Sequence, residues 1–139
     1  MSAGKYSKYV MKAPTLTGDF PPLAQRVVFD GETKNIDATI GFRYSYFTGP
    51  PFQFEVPHTH EFDQYLIFIG PPEDVREFDS EIELWLGKEM EKHTITESTI
   101  VFVPKGLMHT PMNFKRIDKP VLLINITLSP EYKKEVAKK

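Results

Sequence analysis

The chain has 139 residues, of which 40% are hydrophobic and 26% charged, and this length fits one domain with one compact core. Its 17 basic and 19 acidic residues give a formal net charge of -2 without a long block of one sign, which argues against a nucleic-acid partner. Cysteine is absent, so disulfides, thiolate metal sites and cysteine nucleophiles are excluded. Because no apolar run has the length of a signal peptide or a membrane span, we expect a cytoplasmic protein without a membrane partner.

Three prolines interrupt regular structure near the start of the chain, and we expect residues 1–22 to form an N-terminal arm to a domain at residues 23–139. From there on, short apolar runs alternate with turn residues, as is typical of a β-sandwich or barrel. A helix is predicted only over residues 130–138, after Ser129 as a candidate N-cap. The predicted strands cover residues 25–29, 42–47, 60–69, 81–86, 92–96, 99–103 and 121–127.

The predicted strand at 42–47 alternates, and one of its two faces must look into the barrel. The two faces consist of Phe42, Tyr44 and Tyr46, and of Arg43, Ser45 and Phe47. We expect a set of aromatic residues of the chain to be mainly core, with a few at the mouth of the barrel, because barrels of this size are packed with side chains. This set is Phe42, Tyr44, Tyr46, Phe54, Trp85, Phe102 and Phe114.

Two of the four histidines, His58 and His60, lie two residues apart in a strand-like segment. Because a strand sends alternate side chains to one face, His58, His60 and Gln64 are predicted on the same side. Burying two imidazoles in a barrel interior costs free energy unless they have a polar partner, and a shared metal ion can be that partner. His93 lies outside this pattern, and we expect it on a solvated strand or turn.

A second segment runs from Pro104 to Asn113, and the turn that Pro104 and Gly106 predict would aim His109 back at the first strand. Two motifs can now be written, His58-x-His60-x-x-x-Gln64 with Gly70, and Pro104-x-Gly106-x-x-His109-x-x-x-Asn113. Together they resemble the two motifs of the cupin superfamily, over roughly residues 42–128. The resemblance implies an all-β fold, the double-stranded β-helix or RmlC-like jelly-roll barrel. It also implies one divalent metal ion bound by His58, His60, Gln64 and His109.

The sequence departs from the family pattern at three places. Gln64 replaces the usual acidic ligand, and Glu97 and Ser98 lie near the missing glycine that opens the second motif. The stretch at 70–99 is long, which predicts an extra hairpin or loop containing Trp85. A glutamine oxygen can still bind a metal, as in cupins that open unsaturated uronate sugars. Four neutral ligands leave the ion's charge uncompensated, so an anionic oxygen ligand is expected.

Two alternatives stay open for this site. Gln64 can hydrogen-bond across the barrel and leave a three-histidine centre, or the histidines are hydrogen-bonded pocket residues of a metal-free barrel. Nitrogen and oxygen ligands suit iron, manganese, nickel, cobalt, copper or zinc, and do not choose among them.

The main functional expectation is a metal-dependent enzyme that isomerises, ring-opens or dioxygenates a small oxygen-rich molecule. Tyr44, Tyr46 and Arg43 are candidate proton donors or anion anchors. The alternatives are a non-catalytic module that binds or senses a small ligand, and a metal-free structural barrel. A homodimer is expected, because barrels of this type pair through sheet edges.

Overall fold

A computed structural model describes residues 4–10, 15–16, 23–29, 39–71, 76–129 and 135–136. Their main elements are strands, preceded by one short 3-10 helix at Ser7–Tyr9. The strands are β1 Thr15–Leu16, β2 Leu23–Phe29, β3 Gly41–Phe47, β4 Phe52–Phe54, β5 His58–Thr59, β6 Gln64–Ile69, β7 Glu77–Leu86, β8 Glu91–Glu97, β9 Thr99–Val103, β10 His109–Ile117, β11 Val121–Thr127 and β12 Glu135–Val136.

The strands form two antiparallel sheets that pack face to face. The first sheet has the order β1-β2-β3-β11-β6-β9, and the second has the order β12-β5-β10-β7-β8, with β4 also paired to β10. Neighbours in space are mostly distant in sequence, as in a jelly roll, where strands alternate between sheets. The predicted all-β jelly-roll class is confirmed. No helix in the described part of the chain is long and apolar enough to cross a membrane.

Most predicted strands are present, and several extend by a few residues. The extra hairpin predicted around Trp85 is also present: β7 and β8 pair directly, joined by a turn at Gly87, whose φ of 80° favours glycine. The largest element that the prediction missed is β10, which contains Pro111. Proline inside an apolar run argues against a strand. Here the ladder is irregular between His109 and Met112, and that irregularity accommodates Pro111.

The predicted strand over residues 60–69 is wrong in its first part, because the strand begins only at Gln64. His58 and Thr59 form a separate strand, β5, in the second sheet, whereas Gln64 opens β6 in the first sheet. The chain therefore crosses from one sheet to the other between the two histidines and the glutamine. Alternation along one continuous strand does not explain why these side chains meet.

The crossing segment is held by the turn that precedes β10. The N–H of Gly106 donates to the carbonyl oxygen of His60 at 2.9 Å, and the N–H of Lys105 donates to the Asp63 carboxylate at 2.8 Å. Gly106 has a φ of 84°, a conformation that a side chain would strain. The second motif is thus joined to the segment that follows the histidines of the first motif by two hydrogen bonds from backbone N–H groups, one to a backbone carbonyl and one to a side-chain carboxylate.

The sequence predicted a C-terminal helix and an N-terminal arm. Glu135 and Val136 pair with Thr59 and His58 as strand β12, so the predicted helix is wrong at these two residues. Residues 130–134 and 137–139 lie outside the described residues. In the predicted arm, β1 pairs with β2 and extends the first sheet, and the division at residue 22 stays a prediction.

The core lies between the two sheets and includes a stack of three phenylalanines. Phe114 is fully buried, with ring centroids 4.5 Å from Phe47 and 5.1 Å from Phe52. The aromatic prediction holds for Phe114 but is wrong for Tyr46 and Phe102, which are 55% and 48% exposed. The buried apolar side chains are Phe47, Leu66, Phe68, Phe78, Ile82, Leu84, Ile95, Val103, Met112, Phe114, Val121 and Leu123.

Candidate metal centre

His58 and His109 lie directly opposite each other on paired strands. In the antiparallel ladder of β5 and β10 their Cα atoms are partners, and their ring centroids are 4.3 Å apart. Directly opposed side chains on one face of a ladder are close enough to share a ligand. The predicted approach of His109 to the first motif is therefore present.

His60 completes a triangle although it lies just beyond the end of β5. Its ring centroid is 4.8 Å from that of His58 and 5.0 Å from that of His109. One ligand nitrogen from each of the three rings lies within 4.8 Å of the other two, and each residue is only 2% exposed. Three buried imidazoles at this separation form a group that can hold one metal ion.

Backbone carbonyls fix the protonation pattern of two of these rings. His58 Nδ1 lies 2.7 Å from the carbonyl oxygen of Val56, and His109 Nδ1 lies 3.1 Å from that of Leu107. Because a carbonyl oxygen only accepts, Nδ1 must carry the hydrogen in both rings, and the lone pair resides on Nε2. The Thr110 hydroxyl also donates to Val56, at 2.6 Å. Such outer hydrogen bonds orient imidazoles for metal binding.

Gln64 lines the same cavity as His58 and His109. Its Nε2 donates to Oδ1 of Asn125 at 2.8 Å. Its Oε1 is buried and accepts no hydrogen bond from a described residue. Burying such an acceptor costs free energy unless a donor or a cation satisfies it. A metal ion bound beside the amide would satisfy this oxygen.

The electrostatics of the site keep His109 neutral. Burial lowers its pKa to about 4, with smaller lowering contributions from His58 and His60, while the hydrogen bond to Leu107 and the charge of Glu55 act in the opposite direction. Glu55 lies 3.8 Å from Nδ1 of His58 and is partly exposed. A neutral imidazole is the form that binds metals.

A small cavity of about 60 Å³ adjoins His58 and His109. This volume holds only a few atoms, since one water molecule needs roughly 10–15 Å³. Arg43 and Glu55 are the charged side chains, histidines aside, among the described residues that line it. The lining is Arg43, Ser45, Phe47, Glu55, His58, Gln64, Leu66, His109, Thr110, Met112, Leu123 and Asn125.

The three predicted helper residues are separated by the alternation of β3. Arg43 lines the cavity, together with Ser45 and Phe47 from the same face. Tyr44 and Tyr46 are not among the lining residues, and the Tyr46 side chain is 55% exposed. Because successive residues of a strand point to opposite sides, the tyrosines lie on the outer face of the sheet. Of the three predicted helper residues, Arg43 is the one that lines the cavity.

Asn113 and His93 lie outside the centre. Asn113 donates to the Glu83 carboxylate at 2.9 Å, and this bond, with a second from Lys92, lowers the pKa of Glu83. Asn113 is thus a structural strand residue. His93 is 47% exposed on β8, where its Nε2 lies 2.6 Å from the Glu91 carboxylate.

The sequence prediction missed Asn125 and Glu55. Alternation along β11 would have placed Asn125 on the inner face with Leu123, and a polar residue between inward apolar ones is the available signal. Glu55 offered no such signal, because it lies between strands, where alternation does not apply. Its φ of 69° is outside any strand pattern.

No protein-family model matches the sequence, and no curated protein does either. Solved structures do match. The polyketide cyclase RemF from Streptomyces resistomycificus has a TM-score of 0.60 at 10% identity, over 100% of this chain and 87% of that chain. Rru_A2000 from Rhodospirillum rubrum, a cupin-2 domain, has a TM-score of 0.59 at 14% identity, over 91% and 76%.

Enzymes named for oxalate are also among the matches. Oxalate oxidase in complex with glycolate has a TM-score of 0.60 at 13% identity, over 90% of this chain and 59% of that chain. A Bacillus subtilis oxalate decarboxylase has a TM-score of 0.58 at 7% identity over 88% of this chain, which spans only 29% of its length. Identities this low establish the fold and leave the activity open. This chain has the cupin fold.

Proposed function

We propose that this chain binds one divalent transition-metal ion through His58, His60, His109 and Gln64, and acts with it on a small, anionic, oxygen-rich organic molecule. The observation that supports the proposal most directly is the convergence of three buried imidazole nitrogens within 4.8 Å beside a buried amide oxygen that accepts no hydrogen bond. An apolar or merely hydrogen-bonded interior has no need of such a group of acceptors.

The donor set fits a transition metal better than calcium or magnesium. Three imidazoles and one oxygen suit iron, manganese, nickel, cobalt, copper or zinc, whereas the harder ions prefer oxygen ligands. When bound, the ion supplies positive charge that polarises a carbonyl or enediol oxygen of the substrate. The Nδ1–H bonds of His58 and His109 leave Nε2 of both rings for the ion, and the hydrogen bond from Gln64 Nε2 to Asn125 leaves the amide oxygen of Gln64 as the remaining ligand atom.

The cavity supports a small anionic substrate. The proposed ligands of the ion are all neutral, so they do not cancel its charge. Arg43 of β3 lines the same cavity as Asn125, with which it is paired on β11. Guanidinium groups bind carboxylates by paired hydrogen bonds. The two fold relatives named for oxalate act on a molecule of comparable size. Glu55 is the lining carboxylate and is the candidate for proton transfer.

Removing three of the proposed ligands one at a time should test the ligand assignment. His58→Ala and His109→Ala should abolish metal binding and the metal-linked rise in melting temperature, and Gln64→Ala should weaken both by less. Metal content after reconstitution is measured by elemental analysis, and the melting temperature with and without added metal. His93→Ala is the matched control, because it removes an exposed histidine outside the cluster. Equal metal content in all four variants would refute the ligand assignment.

Asn125 should act on metal affinity only through Gln64. Asn125→Leu removes the acceptor for the amide and should raise the dissociation constant for the metal by roughly 10-fold or more, as loss of outer-shell partners does. Asn125→Asp keeps an acceptor and should retain tight binding. In the Gln64→Ala background, Asn125→Leu should change little, as measured by calorimetric titration with cobalt(II) or zinc(II). An equal loss in both backgrounds would show that Asn125 does not position the amide.

The burial of neutral His109 should make the metal-free protein sensitive to acid. Its pKa in the folded chain is about 4 against an ordinary 6.5, so its neutral form stabilises the fold fully above pH 6.5. This contribution is lost as the pH falls from 6.5 to about 4, and it corresponds to roughly 3 kcal/mol.

The measurement is urea unfolding in the presence of a chelator at pH 7, 5.5 and 4. His109→Gln removes the titrating ring and should lose less unfolding free energy over this range than the wild type. The difference between the two proteins isolates His109 from the other titrating groups. Parallel pH dependences in the two proteins would contradict the prediction.

Turnover distinguishes an enzyme from a binding module. The reconstituted protein is tested on small hydroxy acids, enediols and uronates, and we expect metal-dependent turnover of at least one anionic compound. Arg43→Gln should raise the KM for that compound by at least roughly 10-fold, because it removes a charge-assisted hydrogen bond. Tyr46→Ala, on the opposite face of the same strand, should leave the kinetics unchanged. Ligand-dependent thermal shifts without any turnover would favour a sensor or storage role instead.

A further inference from the structure

Two side chains of opposite charge line the cavity, and they come from different sheets. Arg43 lies on the inner face of β3 in the first sheet. Glu55 lies between β4 and β5, which both pair with β10 of the second sheet. The other lining residues that the structure describes, the histidines aside, are apolar or polar without a charge. A ligand in this cavity therefore meets one guanidinium and one carboxylate.

The backbone around Glu55 is held in an unusual conformation. Its φ of 69° lies in the left-handed region, which residues other than glycine, asparagine and aspartate seldom adopt. The carbonyl oxygen of the next residue, Val56, accepts hydrogen bonds from Nδ1 of His58 at 2.7 Å and from the Thr110 hydroxyl at 2.6 Å. Strained conformations of this kind persist where the surrounding contacts enforce them, and they cluster at ligand sites. The backbone position of Glu55 is thus set by the same hydrogen bonds that orient His58.

This conformation keeps the carboxylate beside the histidines. An oxygen of Glu55 lies 3.8 Å from Nδ1 of His58, and the Glu55 side chain is only 19% exposed. Charge interactions are stronger in such a half-buried place than in water. The sign of this charge therefore matters for any ligand that enters the cavity.

The Glu55 carboxylate restricts which anions the cavity can accept. Arg43 and a bound ion both attract carboxylates, whereas Glu55 repels any carboxylate that comes near it. Because the cavity measures only about 60 Å³, a compact dicarboxylate cannot keep both of its charges away from Glu55. Repulsion of a wrong ligand is a common source of specificity. We therefore expect monocarboxylates to be preferred over dicarboxylates of the same size.

A hydrogen-bond donor on the ligand suits Glu55. An ionised carboxylate only accepts hydrogen bonds, and a bond to it is stronger than one between neutral groups. A hydroxyl can donate to Glu55 while its oxygen keeps lone pairs for an ion. An ammonium group also donates, but it has no lone pair and is repelled by a cation. Among the two donors, a hydroxyl therefore fits the cavity better.

We propose that the ligand of this cavity is a small α-hydroxy monocarboxylate, whose carboxylate binds Arg43 and whose hydroxyl donates to Glu55. The two groups of such an acid sit on neighbouring carbons, so both are within reach inside a cavity of this size. Glu55 is then the residue that selects against dicarboxylates. This inference rests on the proposed function and narrows its substrate class.

The test compares four two-carbon acids that differ in one group each, namely acetate, glycolate, glycine and oxalate. Each is titrated calorimetrically into the full chain loaded with cobalt(II), and elemental analysis checks that oxalate has not removed the metal. We expect glycolate to bind at least roughly 10-fold more tightly than each of the other three, because it alone offers a donor that an ion does not repel and carries one carboxylate.

Glu55→Gln keeps the shape of the side chain and removes its charge. It should weaken glycolate roughly 10-fold and tighten oxalate by a similar factor, since hydrogen bonds to charged groups and like-charge repulsion have comparable size. Arg43→Gln should instead weaken acetate, glycolate and oxalate alike. Glu97→Gln is the matched control, because it removes an exposed carboxylate of β8 outside the cavity, and it should change none of the four affinities.

Tighter binding of oxalate than of glycolate to the wild type would overturn the proposal, and tighter binding of glycine would overturn it in favour of an α-amino acid. An unchanged ratio of glycolate to oxalate affinity in Glu55→Gln would show that Glu55 does not select the ligand. Cobalt(II) alone is titrated first, and a chain that binds none refutes the metal centre. The acid titrations still decide the role of Glu55 in that case, because its repulsion of oxalate does not require the ion.

Discussion

The burial of three imidazoles and one amide in a barrel interior is the constraint on which the rest of this structure depends. Each of these groups loses hydrogen bonds to water when it is buried, and the loss must be offset within the fold. Hydrogen bonds to Val56, Leu107 and Asn125 satisfy the donors. What remains is a set of acceptors around one small cavity, and a bound cation is a partner that can satisfy several of them at once.

The fold builds this group from two sheets. β5 and β10 of the second sheet place His58 opposite His109, and β6 of the first sheet supplies Gln64. The crossing between them is held by hydrogen bonds from the turn at Lys105 and Gly106 to the segment that begins at His60. The glycine in the second motif is thus a backbone element of the site. It fixes the position of the first motif rather than contacting a ligand.

Sequence reasoning predicted the members of the cluster better than its construction. His58, His60 and His109 form one buried group, Gln64 is buried in the wall of the cavity that His58 and His109 also line, and the turn before His109 is present. The continuous strand predicted over residues 60–69 is absent in its first part. Hydrogen bonds from the turn at Lys105 and Gly106 to the crossing segment take the place of β-ladder hydrogen bonds there. Alternating hydrophobicity along a strand indicates which side chains are buried, but it does not indicate to which sheet the strand belongs. Position in a motif was therefore more informative here than local periodicity.

The same alternation explains what the sequence could not decide about β3. One face carries three aromatic residues and the other carries Phe47 with two polar residues, and this difference did not show which face looks inward. Arg43 and Ser45 lie inside and line the cavity beside His58 and His109, whereas Tyr44 and Tyr46 lie on the outer face. Aromatic content therefore does not identify the inner face of this strand.

The strands β3, β6 and β11 each carry one wall of the cavity on their inner face and apolar residues on their outer face. Along β11, Leu123 and Asn125 face the cavity, whereas Ile124 between them belongs to the outer surface. Along β6, Gln64 and Tyr65 divide in the same way. Each residue of the Gln64–Asn125 hydrogen bond is therefore one peptide away from a residue of the outer surface. A rigid strand backbone is what holds an amide oxygen in place for a metal.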